Sequence, residues 1–154
     1  MSTHPQHSLP TYRTTVRDEW IDYNGHLSEA YYVLIFGFAT DRIMDSLGMD
    51  AAYRERTGCS LYTVEAHIRY LFEVTGNAEV TVTARMIAAG EKKLHLAYEM
   101  HSAGQLVATE EILALHVGGD QPSSVPFPVE IAQRIAQVQQ SEEPVPDWVG
   151  RAIR

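Results

Sequence analysis

The pattern of hydrophobic and polar positions changes its period near residue 60. Before that point the segment AYYVLIFGFAT carries no charge, whereas a helix on a protein surface shows a polar face within two turns. Ser28 precedes the segment as a candidate N-cap, and Gly48 stands where a glycine commonly ends a helix. The pattern predicts a long helix over about residues 29–47, wrapped by other structure.

After residue 60 the hydrophobic positions recur with a period of two, which is typical of strands. One face of the first predicted strand is expected to carry Tyr62, Val64, Ala66, Ile68, Tyr70 and Phe72, and the other Thr63, Glu65, His67 and Arg69. Further strands are predicted over about residues 78–88, 93–102 and 106–117, with hairpins at AAGEKK and SAGQ. The Thr, Tyr and Val content of TYRTTVRDE indicates an additional strand before the helix.

The predicted fold class is α+β, with a curved five-stranded antiparallel sheet wrapped around one long central helix. Such a sheet is the simplest way to bury an apolar helix on all sides. Apolar positions in VEIAQRIAQVQQ predict a short C-terminal helix. The expected organisation is an N-terminal tail over residues 1–10, one domain over 11–118, and a linker, short helix and loosely ordered tail over 119–154, where Trp148 is able to dock.

Composition narrows the function classes. A chain of 154 residues fits one domain, and its net charge of −8 opposes binding to nucleic acid. No apolar run reaches the length of about 20 residues that a membrane span needs, and a single cysteine together with an N-terminus unlike a secretory signal favours the cytoplasm. The seven histidines lack metal-site spacing and no G-x-S-x-G motif occurs, so we expect neither a metal site nor a serine hydrolase.

The segment VRDEWIDYNGHLSEAYYVLIF places Asp22, Gly25 and His26 just before the predicted helix. With the order of elements, it resembles the 4-hydroxybenzoyl-CoA thioesterase family of hotdog proteins over roughly residues 11–118. The resemblance implies that Asp22 is the catalytic carboxylate, that the backbone N–H of Glu29 holds the thioester carbonyl, and that the site is shared across a dimer interface. The motif alone fits equally well a turn formed by Asp22 and Gly25.

Several roles stay open at this level. Asp22 either attacks the carbonyl or deprotonates the attacking water. His26 either orients Asp22, contacts the acyl group or makes a structural hydrogen bond. Many family members have two Asn after the His, where this chain has Ser28 and Glu29. Hotdog enoyl hydratases show Asp-x-Asn-Pro-x-His, and Gly25 and His26 replace its last positions, so hydratase chemistry ranks second.

The phrases TVEAHIRYL, DYNGH and EKKLHL also resemble the betainyl-CoA thioesterases of carnitine degradation, some of which are fused to carnitine dehydrogenase. This implies a pocket for a trimethylammonium group, which aromatic faces and negative charge recognise. The candidate substrate-binding residues are Trp20, Tyr23, Gly25, Tyr32, Tyr62 and Glu65, with Tyr31 as an alternative to Tyr32. An ordinary core role remains open for each aromatic residue, and a solvated face for Glu65.

Lys92 and Lys93 form the only adjacent basic pair and are candidates for binding the phosphates of coenzyme A, unless they merely mark a charged hairpin turn. No cofactor is expected, because coenzyme A is part of the substrate. We expect a homodimer or a dimer of dimers, since one sheet leaves a strand edge uncovered. A general short-chain or aromatic acyl-CoA thioesterase and a non-catalytic acyl-CoA-binding module are the alternative functions.

Overall fold

The long helix α1, Glu29–Leu47, has the predicted bounds. In the computed structural model, which describes residues 8–118, 123–139 and 144–154, α1 starts after Ser28 and ends at Gly48. Gly48 has a φ of 97°, a left-handed conformation that glycine adopts without strain, and its N–H caps carbonyls of the last turn. The buried side of α1 carries Tyr32, Ile35, Phe36, Ala39, Ile43, Met44 and Leu47.

A curved antiparallel sheet packs against that buried side. Its strands are β1 (Tyr12–Thr15), β2 (Ser60–Tyr70), β3 (Glu79–Ala89), β4 (Lys93–Ser102), β5 (Gln105–Gly118) and the two-residue β6 (Ser123–Ser124). The spatial order is β1-β3-β4-β5-β2, and β6 pairs with the end of β5. The predicted hairpins β3–β4 and β4–β5 are confirmed, whereas β2 pairs with β5 and lies at the edge of the sheet.

Two further α-helices and a short 3-10 helix, Asp18–Trp20, complete the described chain. The predicted C-terminal helix is α3, Val129–Gln139, and it packs against β3 and α1. The sequence interpretation missed α2, Ala51–Thr57, in which the side chain of Asp50 accepts a hydrogen bond from the Tyr53 N–H and Gly58 forms the C-cap. None of the helices in these ranges is long and apolar enough to cross a membrane.

A β-bulge in β2 corrects the predicted faces of this strand. The pairing with β5 shifts between Thr63 and Glu65, so that Val64 is an extra residue. Residues paired across a ladder project from the same face, and Tyr62 and Glu65 therefore lie on the outer face, away from α1. The prediction that Tyr62 shares a face with Ile68 and Tyr70 is wrong, because one extra residue exchanges the faces that follow it.

The helix is also less enclosed than predicted. Val33 and Leu34 of α1 are 45% and 38% exposed, and Gly37 on the same side is exposed as well. The sheet and α3 cover the other sides of the helix. One chain therefore leaves an apolar strip of α1 open, which we call the open helix face (Ala30, Val33, Leu34 and Gly37).

The C-terminal segment 144–154 lies against the outer face of the sheet rather than hanging loosely. Trp148 Nε1 donates a hydrogen bond to Glu99 at 3.3 Å, and the Gly150 N–H donates to Glu111 Oε1 at 2.7 Å. Arg85 donates to the carbonyl of Pro144. The docking of Trp148 that the sequence allowed is therefore present.

On the inner face, β5 buries a carboxyl group. Glu110 is 5% exposed, and it pairs with Ile68 on β2 and Tyr98 on β4. Burial raises the pKa of Glu110 from 4.5 to about 7. The folded protein therefore holds this proton more tightly than the unfolded chain does.

The raised pKa predicts how stability depends on pH. The contribution is complete below about pH 4.5 and is lost as the pH rises through about 7. Glu110→Gln, which cannot ionise, should differ little from wild type near pH 5 and be more stable by up to about 3 kcal/mol at pH 8. Urea unfolding of both proteins at the two pH values measures this difference. Equal stability at pH 8 would mean that the native protein supplies a partner for the carboxylate.

Candidate active site

The segment DYNGH forms a tight turn between two short antiparallel contacts. Ile21 pairs with Leu27, the Asp22 N–H donates to the His26 carbonyl at 3.0 Å, and the Gly25 N–H donates to the Asp22 carbonyl at 3.0 Å. Gly25 has a φ of 81°, which a side chain at this position would make unfavourable. The glycine of the motif is therefore required by the backbone of the turn.

The carboxylate of Asp22 is half-buried at the mouth of this turn. Its Oδ1 accepts hydrogen bonds from the N–H groups of Asn24, at 2.8 Å, and His26, at 3.5 Å. The turn-forming explanation of Asp22 is thus correct as far as Oδ1 is concerned. Within the described part of the chain, Oδ2 accepts no hydrogen bond and remains available for chemistry.

The same turn fixes the start of α1. The Ser28 N–H donates to the Trp20 carbonyl at 3.0 Å, and the Leu27 N–H donates to the Val74 carbonyl at 2.7 Å. The first amide of α1, that of Glu29, donates no hydrogen bond in the described part of the chain, and the Ser28 side chain caps none of the amides that follow it. Such amides carry partial positive charge and suit an oxygen that becomes negative during a reaction.

A cleft with a volume of about 760 Å³ joins the turn, the helix start and the end of β2. It is lined by Asp22, Tyr23, Asn24, His26, Leu27, Ser28, Glu29, Tyr32, Tyr70, Leu71, Phe72 and Glu73. The structure thus brings together five of the residues proposed from the sequence: Asp22, Tyr23, His26, Glu29 and Tyr32. Gly25 belongs to the adjoining turn.

Aromatic side chains form one wall of the cleft. The rings of Tyr32 and Tyr70 meet edge to face with centroids 5.0 Å apart, and the Tyr32 hydroxyl donates to the Phe72 carbonyl at 3.2 Å. The Tyr70 hydroxyl donates to the Glu29 carbonyl at 3.4 Å. Burial is the main cause that raises the pKa of both tyrosines, so both remain neutral donors.

The sequence interpretation missed Tyr70, Phe72 and Glu73 as site residues. Tyr70 and Phe72 were assigned only to a strand face, and the fold was needed to show that β2 ends beside the start of α1. Glu73 lies 3.1 Å from Nε2 of His26. His26 therefore contacts Asp22 through its backbone and Glu73 through its ring, which is a positioning arrangement for the turn.

Other predicted residues lie elsewhere in the chain. Trp20 is buried, and its ring stacks on Tyr31 with centroids 6.0 Å apart. Tyr62 and Glu65 project from the outer face of β2, as described above.

Lys92 and Lys93 are distant from the cleft of their own chain. Lys93 pairs with Leu115 near one end of β5, whereas Tyr70 pairs with Ala108 near the other end. Seven residues of strand separate these positions on β5, which corresponds to roughly 23 Å. A single chain therefore does not bring the two lysines to Asp22.

A carboxylate beside an open helix amide can hydrolyse a thioester, because one group attacks or activates water while the other stabilises the oxyanion. The curved sheet around α1 and this cleft define a hotdog-fold thioesterase. The chain belongs to the thioesterase-like superfamily, whose family model matches residues 16–135.

Relatives with assigned activities are similar along most of the chain. Betainyl-CoA thioesterase of Pseudomonas aeruginosa is 40% identical over 149 residues, covering 94% of each chain. The L-carnitine dehydrogenase/betainyl-CoA thioesterase of Agrobacterium fabrum is 38% identical over 148 residues. That match covers 95% of this chain and 30% of the larger protein.

Solved structures show the same fold. A hypothetical protein from Staphylococcus aureus in complex with CoA is 30% identical with a TM-score of 0.88, covering 94% of this chain and 93% of that one. A putative thioesterase from Pseudomonas putida KT2440 is 40% identical with a TM-score of 0.82, covering 96% of each chain. These likenesses confirm the predicted hotdog fold.

Proposed function

We propose that this chain hydrolyses betainyl-CoA to glycine betaine and coenzyme A, with Asp22 as the catalytic carboxylate. The observation that carries the proposal is the opening of both Asp22 and the first amide of α1 into one cleft. The relatives that are named betainyl-CoA thioesterases support the choice of substrate. The proposal retains the cytoplasmic location expected from the sequence.

The reaction needs few groups from the protein. The thioester oxygen lies against the N–H of Glu29, where the charge of the tetrahedral intermediate is stabilised. Asp22 either removes a proton from water as that water attacks the carbonyl carbon, or attacks the carbon itself and forms an anhydride that water then cleaves. In both routes the carbon–sulfur bond breaks and CoA leaves as a thiolate, which then takes up a proton.

The walls of the cleft suit a cationic acyl group. Tyr32, Tyr70 and Phe72 offer aromatic rings, and the carboxylates of Glu29 and Glu73 line the same space. A trimethylammonium group has no N–H to donate, so its recognition depends on aromatic faces and on negative charge. In the proposed complex, these residues take the role that the sequence assigned to Tyr62 and Glu65.

The uncovered surfaces support a homodimer. Among the described residues the outer edge of β2, Ser60–Tyr70, is unpaired, and the open helix face is exposed as well. A twofold axis across β2 would pair two such edges antiparallel and cover both helix faces. The same operation would bring Lys92 and Lys93 of the partner subunit towards each cleft, so their proposed contact with CoA depends on the dimer.

The dimer is tested by light scattering at micromolar concentration. We expect a mass of about twice the 17.3 kDa of one chain, or four times for a dimer of dimers. A charged residue placed in the open helix face, Val33→Glu, should reduce assembly and activity together, because burial of an unpaired charge is unfavourable. A fully active monomer would contradict the proposal.

The catalytic role of Asp22 is tested by Asp22→Asn. Asparagine keeps an oxygen that can accept from the Asn24 N–H, so the turn should persist, yet it can neither attack nor take a proton. We expect kcat to fall at least about a hundredfold for every acyl-CoA that the enzyme hydrolyses. Asp18→Asn, the same change at an exposed position outside the cleft, is the control and should leave kcat within about twofold.

The substrate is tested by comparing betainyl-CoA with 3,3-dimethylbutyryl-CoA, in which carbon replaces the charged nitrogen at nearly the same volume. Each kcat/KM is divided by the uncatalysed rate, because the cation itself activates the carbonyl. Cation–π contact of about 0.5–2 kcal/mol predicts a corrected preference of roughly 2- to 30-fold for betainyl-CoA. Equal corrected rates would instead indicate a general acyl-CoA thioesterase. If no thioester released a free thiol, the chain would be a non-catalytic binding module.

A further inference from the structure

Glu110 is a buried carboxyl group for which the proposed hydrolysis gives no role. It projects from the inner face of β5, between Ile68 on β2 and Tyr98 on β4, and is 5% exposed. Phe36 of α1 packs on Tyr98 with ring centroids 5.8 Å apart, so Glu110 belongs to the layer between the sheet and the helix. Carboxylates are rarely buried in such a layer without a compensating partner.

The next residue along β5 is also a glutamate, but its carboxylate has hydrogen-bonding partners. Glu111, on the outer face, is 2.6 Å from His95 Nε2 and accepts the Gly150 N–H at 2.7 Å. The carboxyl group of Glu110 has no hydrogen bond or ion pair in the described ranges 8–118, 123–139 and 144–154. In those ranges no fully buried side-chain polar atom lacks a partner, so the oxygens of Glu110 must retain a narrow opening. A ligand can supply the missing partner there.

Tyr70 lies beside both Glu110 and the cleft, whose lining does not include Glu110 itself. Tyr70 lines the cleft, and its hydroxyl reaches the Glu29 carbonyl at the start of α1. On the sheet Tyr70 pairs with Ala108, two residues from Glu110 on the same face. Burial chiefly raises the pKa of Tyr70, and the charges of Glu29 and Glu110 raise it further. The tyrosine therefore stands between the helix start and the buried carboxylate.

We propose that Glu110 is the counter-charge that selects the trimethylammonium group of the acyl chain, with Tyr70 as its aromatic partner. This inference rests on the proposed betainyl-CoA activity and adds the residue that makes it specific. A carboxylate without hydrogen-bond donors suits a quaternary ammonium, which offers charge but no N–H. Glu65, the acidic candidate from the sequence, projects from the opposite face.

The dimensions of the acyl group are compatible with this role. The nitrogen of a betainyl group lies roughly 2.5 Å from the carbonyl carbon by standard bond lengths. A carbonyl at the Glu29 N–H therefore keeps the cation close to the helix start, beside Tyr70. Attraction between charges needs no hydrogen-bond geometry and extends over about 4–6 Å, most strongly where water is excluded.

The experiment measures the corrected preference for betainyl-CoA over 3,3-dimethylbutyryl-CoA in wild type, Glu110→Gln and Glu111→Gln. The two variants lose the same charge at adjacent positions on opposite faces of β5. Glu110→Gln should remove most of the preference and bring the corrected ratio to within about twofold of one, while hydrolysis of the neutral isostere stays within about threefold of wild type. Glu111→Gln should leave the preference unchanged. Glu110→Asp, which keeps the charge, should retain most of it.

The pH profile gives a second readout. The groups facing Glu110 are Tyr70 on β2, Tyr98 on β4 and, near the Tyr98 hydroxyl, Thr40 and Asp41 on α1. Because the Glu110 pKa is about 7, the preference of wild type should increase from pH 6 to pH 8. The ratio of two substrates removes pH effects common to both, and Glu110→Gln should give a flat profile.

Each outcome separates this inference from the proposed substrate. A wild-type enzyme without a corrected preference would contradict the betainyl assignment and the role of Glu110 with it. A wild-type preference that persists in Glu110→Gln would overturn only the role of Glu110. An equal loss of activity on both substrates, with a weaker dimer by light scattering, would show that Glu110 pairs across the subunit interface and would also overturn the inference.

Discussion

The burial of α1 is the constraint on which the rest of this structure depends. A helix whose first half is uncharged cannot remain in water, and the sheet curves around it to remove Ile35, Phe36 and Ile43 from solvent. One short sheet cannot close around a helix, so an apolar strip and a strand edge remain open together. The same arrangement directs the start of α1, with its open amide, towards the turn that carries Asp22. Fold, assembly surface and reaction site thus follow from one packing requirement.

The elements with strong periodic patterns could be predicted from the sequence. The bounds of α1 agree to the residue, because Ser28 and Gly48 mark its ends, and β3 to β5 agree within a few residues because glycine turns separate them. The bulge at Val64 could not be predicted, since an extra residue leaves no mark in a run of alternating side chains. This one residue puts Tyr62 on the outer face of the sheet, where Glu65 also lies, away from the site.

The candidate site was predicted only in its contiguous part. Asp22, His26 and Glu29 lie within eight residues of sequence, so a local motif was sufficient to bring them together. Tyr70 and Glu73 reach the cleft through the crossing of β2 past the helix start, which depends on the sheet order. The burial of Glu110 could not be predicted for a different reason. Glu111 follows it, and the sequence does not show which of two adjacent carboxylates faces the core. Burying a carboxylate lowers the stability of the folded protein, and a role in binding would offset this loss.

The two edges of the sheet differ in length, and this has a consequence for polymerisation. In the part of the chain that the structure describes, one edge of the sheet is the 11-residue β2 and the other is the four-residue β1. If two β2 edges pair with each other, both are consumed, and each end of the joined sheet is then formed by β1 and by the part of β3 that β1 leaves unpaired. A four-residue strand offers too few hydrogen bonds to recruit another chain. Pairing through β2 would therefore act as a chain-termination step, which stops growth at two subunits instead of propagating a fibril.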